Sequence, residues 1–346
     1  MTSSGEKRAV TVNEVAAEAG VSIKTVSRVL NNEPNISEKT RAKVVAAMAA
    51  LKYQPNPAAR RLASKRSDLL MLVYDNPSDN YLINVQHGAL DACKQHFYSL
   101  LLHPCDYRAP DVAAGIVQAA RLHACAGLLL TPPLSDLRAL IDILDQGDML
   151  YVRLAPSTPC IKGLEVGTDD RAAARDMTLY LLELGHRRIG FVAGHPDHGA
   201  VGERLLGYRD ALEAAGLVFD EGLVAQGMHS FDSGVECGQQ LLDVDDRPSA
   251  IFAANDDMAA GVLYAAHARG LPVPEALSVV GYDDTPLSRQ TWPKLTTLRQ
   301  PIRAMAYAAV EQLAAREPQA RVRTLGYEIM VRDSTRAPGK GWDRGE

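Results

Sequence analysis

Apolar positions follow two rhythms along this chain. The first is helical and short. In TVNEVAAEAGVSIKTVSRVLN, residues 11–31, Val12, Val15, Ala16 and Ala19 fall on one helical face. Gly20 then interrupts the pattern, as a residue free to take positive φ does at a helix end. Ser22 offers a hydroxyl to cap a second helix, in which Val26, Val29 and Leu30 face inward. Ile23, Lys24, Ser27, Arg28 and Asn31 are left facing out. A small residue where the helices cross (Ala16), a glycine in the turn and a branched residue on the second helix (Val26) spell a helix-turn-helix. An ordinary amphipathic helix pair spells the same pattern. A third helix, SEKTRAKVVAAMAALKY, is capped by Ser37 and offers Val44, Val45, Met48 and Leu51 to cover the first two. A unit of about 50 residues built this way is only marginally stable alone.

Next comes YQPNPAARRLASKRS. Pro55 and Pro57 end the third helix, Asn56 can cap a new turn, and Pro57 suits a first helical position. The short helix this allows over residues 57–65 falls below the ~12–15 residues at which isolated helices become marginal in water, so it needs outside support. Composition alone equally describes a basic interdomain linker.

The second rhythm begins at Leu69. Short unbroken apolar runs (LLMLVYD, SLLLHPC, AGLLLTPP, MLYVRLA, GLEVGTD) alternate with amphipathic stretches (INVQHGALDACKQH, VAAGIVQAARL, LRALIDILDQG). Strands of this kind are buried on both faces, as in a parallel sheet covered by helices. The pattern repeats with strands in RRIGFVAG, GLVAQGM, SAIFAAND and ALSVVGYDD. The segment IRAMAYAAVEQLAAR reads as a helix, and TLGYEIMVRDST as one returning strand. These repeats predict two α/β lobes hinged about a cleft. Domain limits follow at residues 1–54 for the helical head, 55–66 for the hinge and 67–340 for the two-lobe core.

Charge sharpens the division. The formal net charge is −5, yet residues 1–66 carry 12 basic and 5 acidic side chains, and the remainder 25 basic and 37 acidic. A basic head on an acidic body implies a polyanion partner for the head alone. The five cysteines lie far apart without a CxxC pair, which fits reduced thiols in a cytoplasm and no disulfide framework or zinc site. The N-terminus lacks the apolar core of a signal peptide, and no apolar run reaches the ~20 residues of a membrane span. GxSxG, Walker, HExxH and GxGxxG patterns are absent at the places where they would carry chemistry, so an enzyme is not expected. His186, His195 and His198 gather near GHPDHG without ligands at metal spacing. No cofactor or metal is expected.

VNEVAAEAGVSIKTVSRVLN followed by ISEKTRAKVVAAMAALKYQPNPAARRLAS resembles the head of the lactose-repressor (LacI/GalR) family of transcription regulators, without a gap. GHRRIGFVAG, ERLLGYRDAL, AANDDMAAG and SVVGYDDTPLSRQTWPKLTTLRQP are similar to landmarks of that family's periplasmic-binding-protein-like (type I) core. The resemblance implies an N-terminal all-α head with a hinge helix, a two-lobe α/β core, and a homodimer on near-palindromic operator DNA. It implies that Ile23, Lys24 and Arg28 reach base edges and that Leu62 wedges into the minor groove. The chemistry agrees. Arginine can fork onto guanine, Lys24 can donate to guanine or phosphate, and isoleucine can touch a thymine methyl. Thr11, Ser22, Thr25, Ser27, Asn31, Tyr53, Asn56 and Lys65 suit backbone contacts.

For the core, the resemblance implies an effector pocket lined by Asn76, Tyr81, Arg153, Arg204, Phe231, Asn255, Asp283 and Gln300. Carboxylate, carboxamide and guanidinium groups can each bind paired hydroxyls, which suits a neutral sugar. Asp256 and Asp284 are equally readable as helix caps. Arg153 stands where several sugar-binding relatives carry an acid, and Phe231 where some carry tryptophan. Two arginines in one pocket would suit a sugar acid or phosphate. The expected function is therefore a repressor of carbohydrate-utilisation genes released by a sugar. The alternative is a regulator activated by a corepressor such as a sugar acid, a sugar phosphate or a non-sugar metabolite. The tail after Asp333 lacks leucine heptads, which predicts a dimer and no coiled-coil tetramer.

Overall fold

The computed structural model describes residues 10–30, 36–51, 53, 67–158, 160–315 and 320–339. The chain divides into two compact units, Met1–Arg66 and Ser67–Glu346.

In the first unit, α1 (Val12–Ala19), α2 (Ile23–Leu30) and α3 (Glu38–Ala50) enclose a small core of Val15, Ala16, Ala19, Val26, Val29, Val44 and Ala47. Gly20 ends α1 at φ +63°, and Val21 N–H returns to the Ala16 carbonyl. Ser22 Oγ accepts the Thr25 N–H at 3.1 Å, and Ser37 Oγ accepts that of Thr40 at 3.2 Å. Thr11 donates its N–H and hydroxyl to Glu14. One expectation is corrected: Val45 is 55% exposed. Val44 and Ala47 carry that face of α3, with Met48 and Leu51 partly buried beside them.

The second unit holds two six-stranded sheets. Lobe 1 contains β1 (Leu69–Tyr74), α4 (Asp79–His96), β2 (Ser99–Pro104), α5 (Val112–Leu122), β3 (Gly127–Leu130), α6 (Arg138–Gln146), β4 (Leu150–Leu154) and β5 (Leu164–Gly167). Lobe 2 contains α7 (Asp170–Glu183), β6 (Ile189–Ala193), α8 (Gly199–Ala214), β7 (Val224–Gln226), α9 (Phe231–Leu242), β8 (Ala250–Ala253), α10 (Asp256–Ala268), β9 (Ser278–Tyr282) and β10 (Thr296–Arg299). The chain then recrosses: α11 (Ile302–Ala314) and β11 (Val322–Thr324) join lobe 1, and β12 (Glu328–Met330) joins lobe 2. TLGYEIMVRDST thus supplies two three-residue strands to different sheets instead of one strand. The strand orders are β11-β5-β4-β3-β1-β2 and β12-β10-β9-β8-β6-β7, parallel throughout except for β12.

Burial on both faces explains the apolar runs of the inner strands, while edge strand β2 is half-exposed. In lobe 1, Leu70, Leu72, Leu129 and Val152 pack with residues of α4 and α11, whereas Met71, Val73, Leu128 and Tyr151 pack with those of α5 and α6. A Cβ on Gly88 of α4 would meet the Arg303 carbonyl, so that glycine sets how closely α11 lies on α4.

Candidate functional site

Two surfaces answer to the expectations. On the head, Ser22, Ile23, Lys24 and Ser27 are exposed along the outer side of α2, with Ile23 51% exposed. Thr11, Thr25, Arg28 and Tyr53 are partly buried. Asn31, Asn56, Leu62 and Lys65, and the proposed hinge helix, lie outside the described residues.

The second surface is the cleft of the core, formed where the parallel strands of both lobes end. Beyond β1, Asn76 Oδ1 accepts the Ser78 N–H at 2.9 Å, and Ser78 Oγ caps α4 by accepting the Tyr81 N–H at 3.2 Å. Beyond β4 comes Ala155 at φ +44°. From lobe 2, Arg204 arrives on α8, Asn255 caps α10 after β8, Asp283 follows β9 at φ +105°, and Gln300 follows β10. Six of the eight expected residues line this cleft: Asn76, Tyr81, Arg204, Asn255, Asp283 and Gln300. The position agrees with the rule that ligands bind beyond the carboxyl ends of parallel strands.

Two expected residues are not in the lining. Arg153 is fully buried in β4, where it donates to the Thr158 carbonyl and lies 3.5 Å from Glu165. Phe231 opens α9 and is 43% exposed, its ring centroid 5.9 Å from that of Tyr264. His229, two residues earlier, turns the chain at φ +61° and lines the cleft instead. A Cβ on Gly194 would occupy the space of the His229 ring, so only glycine leaves that ring room. Ser78, His198 and the apolar Pro132, Ala155, Ala200 and Val201 complete the lining. GHPDHG was the one visible signal for His198; nothing in the sequence marked His229.

The polar groups here divide into committed and uncommitted. Arg204 Nε donates to Asp170 at 2.8 Å and Nη1 to the Ala254 carbonyl at 2.6 Å, and its guanidinium lies 3.6 Å from the Tyr282 ring centroid. Burial opposes that charge, but Asp170 and the other groups around it outweigh burial and hold the Arg204 pKa above its ordinary value. Asn255 Oδ1 accepts the Met258 N–H at 2.9 Å, and Nδ2 donates to the His229 carbonyl at 3.1 Å. Tyr81 Oη, Asp283 Oδ1 and both polar atoms of the Gln300 amide are buried without a hydrogen-bond partner. Burial pushes the Asp283 carboxyl well above its usual range, partly offset by Arg204, and raises Tyr81 likewise.

The neighbouring aspartates build the wall. Asp256 accepts from Thr285 N, Thr285 Oγ1 and Thr297 Oγ1 at 2.7, 3.0 and 2.6 Å. Asp284 takes Arg299 at 2.7 Å and also Arg332 and Ser288. His186 is remote from the other histidines and bonds Ser249, Ser278 and the Arg336 carbonyl. Among the described residues, no group of His, Cys, Asp or Glu is placed to hold a metal ion, and no helix is long and apolar enough to cross a membrane.

Residues 11–56 match the family described as bacterial regulatory proteins, lacI family, and residues 178–335 match a periplasmic binding protein-like domain. The chain is 34% identical to the HTH-type transcriptional regulator GalR of Escherichia coli (strain K12), over 87% of each chain. It is 32% identical to catabolite control protein A of Priestia megaterium, over 88% of this chain and 91% of that one. The chain belongs to the lacI family. Solved structures agree. The lac repressor dimer bound to operator and the anti-inducer ONPF superposes with a TM-score of 0.71 at 29% identity, over 95% of this chain and all of that one. The transcriptional regulator CelR in complex with cellobiose gives 0.70 at 31%, over 94% and 99%. This lacI-family chain is therefore a DNA-binding transcriptional regulator with a helix-turn-helix head and a periplasmic-binding-protein-like core, and its relatives are regulators, not enzymes.

Proposed function

We propose that this regulator is a cytoplasmic homodimeric repressor of carbohydrate-utilisation genes, released from its operator by a small, uncharged, sugar-like effector. The observation that carries the effector reading is the set of buried, unpartnered polar atoms on Tyr81, Asp283 and Gln300 at the strand ends. A polyhydroxylated ligand supplies both donors and acceptors to such a set. Among the described lining residues Arg204 is the only lysine or arginine, and Asp170 already matches its charge. Arg153, although its Nε and Nη1 are also buried without a partner, is not in the lining, which favours an uncharged effector over an acid or a phosphate.

The cleft encloses about 40 Å³, against the roughly 300–1,000 Å³ of small-molecule sites. Entry of a sugar then requires the lobes to part. In this reading Ile23, Lys24 and Arg28 read bases, and the hinge at residues 57–65 is the element whose pairing the effector controls. Ile83 and Leu90, seven residues apart on α4, Phe97 just past its end and Leu102 on edge strand β2 are 42–53% exposed and support a dimer face.

The test is fluorescence anisotropy with DNA from upstream of the chain's own gene, titrated with salt and with neutral sugars, sugar acids and sugar phosphates. The expected result is salt-sensitive binding weakened by a neutral sugar, with Asp283→Asn retaining DNA binding and losing the response. Failure to bind overturns the operator reading, tightening by the ligand makes it a corepressor, and a response confined to anions overturns the uncharged effector.

A further inference from the structure

Lobe 1 reaches lobe 2 with a short arm after β2. Tyr107 N–H is anchored on Asp75 at 2.9 Å, and the Tyr107 hydroxyl donates to Asp197 of lobe 2. Arg108 Nε donates to the Tyr107 hydroxyl at 2.9 Å, and its Nη2 lies 3.0 Å from His195 Nε2. Behind His195 stands a column of rings. The centroids of His195 and His198 are 5.3 Å apart, and those of His198 and His229 4.8 Å. His198 and His229 are the two that line the effector cleft.

The hydrogen bonding of His195 decides what this column does. Its Nδ1 faces the Asp197 N–H at 3.1 Å, and its Nε2 faces the Arg108 guanidinium. Both neighbours are donors. A neutral imidazole can accept at one nitrogen only, and an imidazolium at neither. Protonation therefore removes the one acceptor and sets a second cation against Arg108. His229 Nδ1 likewise accepts the His195 N–H at 3.3 Å and would lose that bond on protonation.

We propose that the Tyr107–Arg108 arm and the His195–His198–His229 column form a proton-sensitive latch, which holds the two lobes together only while the column is uncharged. The device acts on cleft closure whether or not the effector is a sugar. The surrounding charges fit. His195 is faced by Asp75, Asp197 and Arg108, His198 by Asp136, Asp197, Arg204 and His195, and His229 by Arg204 and the other two histidines. Burial drives all three below the ordinary histidine value, His198 to about 4. Parting the lobes takes Arg108 away from His195 and opens the cleft-facing sides of His198 and His229 to water. The open form then binds more protons, and acid favours it by up to about tenfold per pH unit for each histidine involved.

The test places a dye pair through noncanonical residues at exposed positions 138 in lobe 1 and 213 in lobe 2 of the full chain, and follows energy transfer from pH 7.5 to 5.0 without ligand. The expected wild-type result is a closed-to-open ratio that falls at least tenfold across that range. His195→Gln combined with His198→Gln keeps an acceptor for Arg108 but cannot titrate, and should flatten most of the fall. Arg108→Ala should lower the closed fraction already at pH 7.5. Far-ultraviolet circular dichroism confirms that each variant is folded at both ends of the range, and a variant that is not is replaced by the corresponding Asn substitution. A wild-type distance that does not change with pH, or a histidine double variant that opens with the wild-type profile, overturns the latch.

Discussion

Arg204 Nε lies 2.8 Å from Asp170 Oδ1, and both side chains are buried. The Tyr282 hydroxyl donates to the same carboxylate oxygen at 2.9 Å. One carboxylate at the start of α7 thereby fixes an arginine on α8 and a tyrosine on β9. Removing it leaves a guanidinium without its counter-charge in the interior, which costs roughly 3–5 kcal/mol where such pairs have been broken. Asp170→Ala should lower unfolding free energy by about that amount in urea denaturation. Asp170→Asn, which can still accept from Arg204, should lose less. Equal stability of Asp170→Ala and wild type would mean that the pair contributes nothing.

Asn255 has two duties that a single substitution can separate. Its side chain caps α10 through Met258 N–H and holds the His229 carbonyl. Loss of an N-cap costs about 1 kcal/mol. Asn255→Asp keeps the cap acceptor but not the donor to His229, so stability should change by less than in Asn255→Ala. Effector response should fall in both, because His229 loses its tether. A full response from Asn255→Asp would show that the His229 backbone holds its place without the amide.

What the sequence disclosed follows physical lines. Strands β1, β3, β4, β6, β8 and β9 showed as apolar runs because both of their faces are buried, whereas β2 and β5 are only partly buried and showed by their leucines and valine alone. β10, Thr296–Arg299, was missed: two threonines and an arginine carry no run, although Thr296, Thr297 and Leu298 are buried. β11 and β12 are edge strands of three residues around Gly326, too short for either period to register. In the cleft, the rule that ligands sit at strand ends points to Asn255 and Asp283, and both line it. His229 lines the cleft and Phe231 does not, a placement that goes with one backbone angle, φ +61° at a non-glycine residue, which the sequence does not show. That Arg153 is enclosed and outside the lining shows only in the packing of β4.

The head should divide its contacts by kind. Arg28→Ala should cost about 1–3 kcal/mol of operator affinity and relax selectivity at the base pairs it reads. Ser22→Ala should weaken binding similarly on every sequence, since a phosphate contact carries no base information. Leu62→Ala, in the segment outside the described residues, should lose operator affinity while effector still binds the core. Competition anisotropy on operator and scrambled DNA separates these outcomes. Unchanged operator affinity in Leu62→Ala would reduce the hinge to a linker.

Acid should destabilise this regulator, and two kinds of buried group compete in the same range. His198 is held at about 4 in the folded chain against 6.5 when unfolded. Its stabilisation is complete above pH 6.5 and is lost as pH falls toward 4, because the unfolded chain then takes up the proton first. His186, His195 and His229 are shifted the same way by burial. Asp256 runs opposite: burial raises it to about 7 despite its three hydrogen bonds, so its stabilisation is full below pH 3.8 and lost as pH rises through 7. Asp283 is raised too. Each group contributes a slope of up to about 1.4 kcal/mol per pH unit within its window. The histidines outnumber the two acids, so the melting temperature should fall between pH 7 and 5. Asp256→Asn deletes one opposing slope, and its melting temperature should fall more steeply than that of wild type over the same interval. Calorimetry of both proteins at pH 7, 6 and 5 checks this, and a wild-type chain more stable at pH 5 than at pH 7 would show that the buried carboxyls dominate.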